Sequence, residues 1–205
     1  LDLMDEGTKT RNAFQIADEL DSLGANLSTG SSSDMSFVRL RGTSANLKPS
    51  LDIMADVVLN PAFPADQFAI QKQRRLAGIA QSKATANAMA FRVLPTIIYG
   101  KNHAYGKPAA GFVDSVQKIA REDLMSWHSR WFKPSASTII VTGDMTMAKL
   151  TPMLEEAFGR WKSGATPKKN LAEVPRTSGK KIYLIDKPDA PQSTIVAAHV
   201  SEPSG

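Results

Sequence analysis

The chain has 205 residues, 42% of them apolar, and a formal net charge of +5. That is enough material for one or two domains with buried cores. The absence of cysteine excludes disulfides and thiolate metal sites. No run approaches the roughly eighteen apolar residues of a membrane span, and no signal-peptide pattern is present. The basic residues are scattered, with small clusters at Lys72, Arg74, Arg75 and at Lys168, Lys169. They lack the interleaved aromatics of a nucleic-acid surface and read as solvated helix faces.

The first predicted element is a helix over residues 13–23. Asn12 stands as its N-cap, and Gln15 three residues on can reach back to it. Ile16, Leu20 and Leu23 recur at helical spacing, and Ala13 and Ala17 widen the apolar stripe. Gly24 follows as a residue able to take positive φ. Residues 27–40 then read as a hairpin whose turn is supplied by the Gly, Ser and Asp of 30–34. Met35, Phe37, Val38 and Leu40 are expected to face a core.

The next helix spans residues 47–59, with Pro49 in its first turn and Leu51, Met54, Ala55 and Val58 on its apolar face. Asn60-Pro61 stops it. A long helix covers residues 65–82, with Asp66 favourable near its start. Residues 86–99 form another, in which Pro95 predicts a kink. Shorter helices are expected over 113–119 and 122–132, and a last one over 146–161, where Pro152 marks either the true start or a kink. Strands are expected at 137–142, 181–186 and 193–200, each an extended run rich in β-branched residues. Residues 163–179 carry Gly, Pro, Thr and Lys without periodicity and read as a linker.

Five stretches stand in a fixed order along the chain: Gly7-Thr8 before the first helix, Asn60-Pro61-Ala62-Phe63, Tyr99-Gly100 through His103-Ala104-Tyr105-Gly106, Arg121-Glu122-Asp123-Leu124 and Ile139-Ile140-Val141-Thr142-Gly143-Asp144. In that order they resemble landmarks of the insulinase/pitrilysin-type (M16) zinc metallopeptidases. The resemblance implies an α+β fold: a two-layer sandwich with helices on one face of a mostly antiparallel sheet. It divides the chain into a domain at 1–162 that lacks its first strand and zinc helix, a linker at 163–179, and residues 180–205. These last are the opening hairpin of a second homologous domain or strands added to the first.

In active members of that family the turn reads His-x-x-Glu-His-x-x-Phe-x-Gly-Thr, with two zinc-binding His and a general-base Glu. Placing its Gly-Thr on Gly7-Thr8 sets the Glu on Leu1 and the second His on Asp2, with the first His before the chain. The third ligand, a Glu of the long helix, falls at Ala77 or Gly78. An Asn that helps hold substrate falls at Ser28. A catalytic zinc needs three protein ligands and an open position, so no catalytic residue, metal ligand or cofactor is assigned to this chain. His103, His128 and His199 form no His-x-x-x-His pair. His103 reads as a loop hydrogen-bonder and His128 as half-buried packing between two Trp. Asp5-Glu6 and Asp18-Glu19 read as solvated pairs.

The resemblance therefore implies a non-catalytic subunit or half. It would line a peptide-holding chamber and support proteolysis by a homologous zinc-bearing partner. Substrate holding in the family uses strand addition to a sheet edge, which matches Leu27, Ser28, Thr29, Gly30 and Ser31 here. The alternatives are a structural scaffold subunit of a larger complex and an active zinc peptidase with displaced ligands. The compartment stays open between bacterial periplasm and cytoplasm.

Overall fold

Asn12 opens the first helix, α1 (Ala13–Ser22), by the expected reciprocal cap: its Oδ1 accepts the Gln15 N–H at 2.9 Å, and Gln15 Oε1 accepts the Asn12 N–H at 2.9 Å. The structure is a computed structural model that describes residues 1–174 and 179–200. Gly24 ends the helix in the left-handed region, φ 61°, and turns the chain into β1 (Asn26–Ser31). β1 pairs antiparallel with β2 (Ser36–Arg41), Leu27 opposite Leu40 and Thr29 opposite Val38. Ser32 Oγ closes the connection by accepting the N–H groups of Asp34 and Met35.

Successive side chains alternate across a strand, so only one set can meet the helices. Leu27, Val38 and Leu40 take that side and pack on the core. Phe37 is one residue out of phase and stays exposed, as does Met35 in the turn, against the expectation that both face inward. Phe37 instead lies over the glycine opposite it: a Cβ on Gly30 would come within 2.4 Å of the Phe37 ring. Arg39 sits over the same ring at 5.6 Å.

α2 (Leu47–Leu59) is buried over more of its circumference than its predicted face. It meets α1, β2 and α7 (Met147–Phe158), so Ile53 and Val57 are covered as well as Leu51 and Val58. The core joins Leu3, Met4, Ile16, Leu20, Ile53, Val57 and Phe63. Leu124 and Phe132 flank it from α6 (Arg121–Trp131) and the residue just after it. Lys48 on α2 pairs with Glu156 on α7 at 2.9 Å.

These elements belong to the first of two compact units, residues 1–71 with 119–168. The second unit comprises residues 72–118 and 169–205. α3 (Ala65–Gln81) begins in the first and ends in the second. The second unit also holds α4 (Ala86–Tyr99) and α5 (Val113–Lys118). α4 continues through Pro95, and Thr85 caps it by accepting the Ala88 N–H. Gly100 leaves it at φ 80°. Within this unit Lys72 Nζ donates to the Gln117 carbonyl at 2.7 Å, and Arg92 to the Gly111 carbonyl at 2.8 Å.

The chain is thus mostly helical, with one small antiparallel sheet of two strands among the described residues. The three further strands expected at 137–142, 181–186 and 193–200 are not formed. Those runs lack a hydrogen-bonded ladder, and Ile140, Ile182, Leu184 and Ile195 are exposed. β-branched side chains favour an extended backbone, but a strand exists only where a neighbour takes up its N–H and C=O groups. Residues 163–174 hold no helix or strand, and two of their carbonyls are engaged: Gly164 by Ser135 Oγ at 2.9 Å and Ala172 by His103 Nε2 at 2.8 Å. The rest of the expected linker, 175–178, and the end of the expected hairpin, 201–205, lie outside the described residues.

Candidate functional site

Three of the stretches singled out in the sequence converge at one junction in the first unit. Gly7 and Thr8 form a turn stitched by backbone bonds to the segment after α2. The Ala62 N–H donates to the Gly7 carbonyl at 2.9 Å, and the Lys9 N–H to the Asn60 carbonyl at 3.1 Å. Beneath the turn lies Asp56 of α2. Its Oδ2 accepts Thr8 Oγ1 at 2.6 Å, Thr10 Oγ1 at 2.7 Å and the Arg11 guanidinium at 2.8 Å. Its Oδ1 accepts Asn60 Nδ2 at 3.0 Å. Burial pushes this carboxyl up, but the bonds from Thr8, Thr10, Asn60 and Arg11 outweigh it and hold the group below the ordinary carboxylate range. Arg11 also reaches Glu19 on α1 at 2.8 Å, so Glu19 is half of an ion pair rather than a free solvated acid.

On the other side of the same segment, Arg121 at the start of α6 donates to the carbonyls of Ala62 and Phe63. One turn before the end of α6, His128 donates from Nε2 to the Val58 carbonyl at 2.8 Å. Phe63 takes φ 47°, a left-handed conformation for a bulky residue. Its ring meets the His128 ring edge-on, and His128 stacks on Phe132 at 4.8 Å. His128 is held below its usual basicity, first by burial and then by Lys133, against the pull of the Val58 carbonyl.

The junction is structural. Its buried carboxylate, Asp56, is already taken up by four donors, and its other acid, Glu19, is paired with Arg11. Sequence reasoning missed Asp56, although the signal was present: an acid within the apolar run Leu51 to Leu59 has to be paired where that run is buried.

A similar lock holds the second unit's loop. His103 is buried, accepts the Tyr105 N–H on Nδ1 at 3.1 Å and so donates from Nε2 to Ala172. It is the loop hydrogen-bonder that the sequence suggested. Tyr99 stacks on it, and Gly106 passes so close to Gly100 that a Cβ would lie 1.8 Å from the Gly100 carbonyl oxygen. His199 is exposed in the second unit.

The residues at the positions matched to zinc ligands do not fit a metal. Leu1 packs against the core, Asp2 is one exposed carboxylate, and Ala77 and Gly78 have no donor side chain. Among the described residues no group of three or more His, Cys, Asp or Glu is placed to hold an ion.

The candidate peptide-holding residues lie together on β1. Leu27 packs inward, Ser28, Thr29 and Gly30 are half-buried, and Ser31 is exposed. β2 occupies one edge of β1, and no described strand pairs with the other. That leaves a backbone edge whose side chains are small and polar.

Comparison with known proteins places these features in a family. Residues 2–110 match the family described as Insulinase (Peptidase family M16), and residues 118–203 match the one described as Peptidase M16 inactive domain. An uncharacterized zinc protease of Mycobacterium leprae is 25% identical over 198 residues, which are 95% of this chain and 44% of that protein. The human mitochondrial-processing peptidase subunit beta is 21% identical over 154 residues, 75% of this chain and 31% of its own length.

 The solved structure described as a peptidase M16 inactive domain from Pseudomonas fluorescens superposes with a TM-score of 0.76 at 25% identity, over 86% of this chain and 42% of that one. The chain thus spans less than half the length of each of these relatives.

Proposed function

The chain belongs to the M16 peptidase (insulinase) family, and from that membership we propose that it is a non-catalytic subunit or half. It holds peptide for a homologous, zinc-bearing partner that performs the cleavage. The observation that carries this reading is the edge of β1 at Leu27, Ser28, Thr29, Gly30 and Ser31 with which no described strand pairs. An extended peptide can add there as a strand, with main-chain hydrogen bonds supplying affinity and the Ser, Thr and Gly side chains excluding few sequences. Two further facts support it. The residues matched to the zinc positions carry no ligand set, and one relative is named as a subunit of a processing peptidase.

The test is binding of a fluorescent extended peptide, read by anisotropy, against the same peptide with alternate amides N-methylated. Loss of binding on methylation is expected, because strand addition needs those N–H groups. Equal binding of both peptides overturns the reading. A scaffold role is the second reading, favoured by the exposed Ile140, Ile182, Leu184 and Ile195. It predicts stable assembly with a homologous chain and no peptide binding.

A further inference from the structure

Leu27, Val38 and Leu40 turn one face of the β1–β2 hairpin to the core. The pairs on the opposite face are Asn26 with Arg41, Ser28 with Arg39 and Gly30 with Phe37. β1 contributes only short side chains there, and β2 contributes an aromatic ring and two guanidinium groups, all three exposed. The Phe37 ring is seated on the β1 backbone, where a glycine is needed to make room: a Cβ added to Gly30 would meet its Cζ at 2.4 Å. The Arg39 guanidinium lies over that ring, 5.6 Å from its centroid. Neither arginine has a carboxylate partner, since the ion pairs among the described residues use Arg11 and Lys48 as their cations.

We propose that this face selects peptides with acidic side chains at alternate positions, i and i+2, laid along the edge of β1 with which no described strand pairs. The proposal rests on the strand-addition reading above and names the substrate class. An added strand would lie about 4.8 Å from β1, with alternate side chains on the same face as Ser28 and Gly30. Arg39 and Arg41 stand one strand further across. A long guanidinium side chain and a glutamate can meet over that strip, because Asn26, Ser28 and Gly30 keep it low. The period follows from β2: the two arginines are two residues apart on one face, so they meet peptide side chains two residues apart. Guanidinium groups hold carboxylates through paired N–H donors, and the fold supplies no carboxylate to either. The face carries one aromatic ring, not the succession on which the bases of a single-stranded nucleic acid stack, so a peptide fits it better.

The experiment uses the whole 205-residue chain and labelled Ser/Thr peptides of one length, read by anisotropy. One carries two glutamates at i and i+2, a second two glutamates at i and i+1, and a third two glutamines at i and i+2. The first is expected to bind about tenfold tighter than the glutamine peptide, as two part-exposed charge pairs would give. The second has the same charge but turns only one carboxylate to the face, so its gain should be about threefold. In the double variant Arg39→Gln, Arg41→Gln, which alters only exposed side chains, the three peptides should bind within about twofold of one another. Equal binding of the i, i+2 glutamate and glutamine peptides to the unaltered chain overturns the proposal. So do equal gains for the two glutamate spacings, which report net charge alone, and a preference that survives the double substitution. Displacement of the glutamate peptide by an equal concentration of oligothymidylate would assign the face to nucleic acid and overturns it too. The strand-addition reading fails separately, by N-methylated peptides binding as well as their parents. If no peptide binds at all, both are overturned.

Discussion

The hydroxyl of Thr8 donates to the carboxylate of Asp56 at 2.6 Å, across 48 residues of sequence. Both side chains are buried. This bond fixes the turn before α1 onto α2, and Thr8 Oγ1 in turn accepts the N–H groups of Thr10 and Arg11. Thr8→Val keeps the shape and removes every one of these bonds. It should lower stability by about 1–3 kcal/mol, the cost of leaving buried polar groups unmet. Asp56→Ala should cost more, because it strands Arg11 as well as both threonines. Urea denaturation of the two variants checks the order.

Stability should depend on pH through three groups with distinct signs. His128 is held below its ordinary value of 6.5 in the fold. Its contribution is present above that value and is lost as pH falls through the folded one. Asp56 is held below 3.8, so its contribution is lost only at still lower pH. Asp5 is raised above 3.8 and acts oppositely: its contribution is present below 3.8 and is lost as pH rises through its folded value. Asp5→Asn should therefore raise the melting temperature at pH 7. His128→Gln should flatten the loss of stability just below pH 6.5. Thermal unfolding across pH 3–8 reads both.

Leu20 and Glu19 are neighbours in sequence with unequal expected effects. Leu20 is buried in the core, and its truncation to Ala should cost about 2–5 kcal/mol. Glu19 holds Arg11 in a part-exposed pair, so Glu19→Ala should cost no more than about 1 kcal/mol. The reverse order in thermal unfolding would place α1 in a different rotation.

Two glycines should respond in opposite directions to alanine. At Gly106 the added methyl would meet the Gly100 carbonyl oxygen at 1.8 Å. That backbone must move, at a cost of about 1–3 kcal/mol or more. At Gly78, inside α3, nothing lies within 4 Å of the added methyl. Gly78→Ala should stabilise the helix by about 0.5–1 kcal/mol. Denaturant midpoints of the two variants give the comparison.

The sequence alone carried the local order of this chain. The Asn12/Gln15 cap, the 3.6-residue spacing of Ile16 and Leu20, and the stop at Asn60-Pro61 each act within a few residues, so they are legible without knowing the fold. Of the positions that match zinc ligands, Leu1, Ala77 and Gly78 carry no donor atom in their side chains, and Asp2 carries a single carboxylate. Tertiary structure decided what depends on partners distant in sequence. Phe37 and Val38 are both apolar, and the pairing register together with the position of the helices selected Val38 for the core. Ile139, Ile140 and Val141 have strand propensity, yet no described strand lies beside them to complete a ladder. Asp56 falls within an apolar run of the sequence, and only folding brings Thr8, Thr10 and Arg11 over it. A cap or a helix stripe is set by near neighbours, whereas a ladder, a buried ion pair and a groove each need two surfaces that only folding brings together.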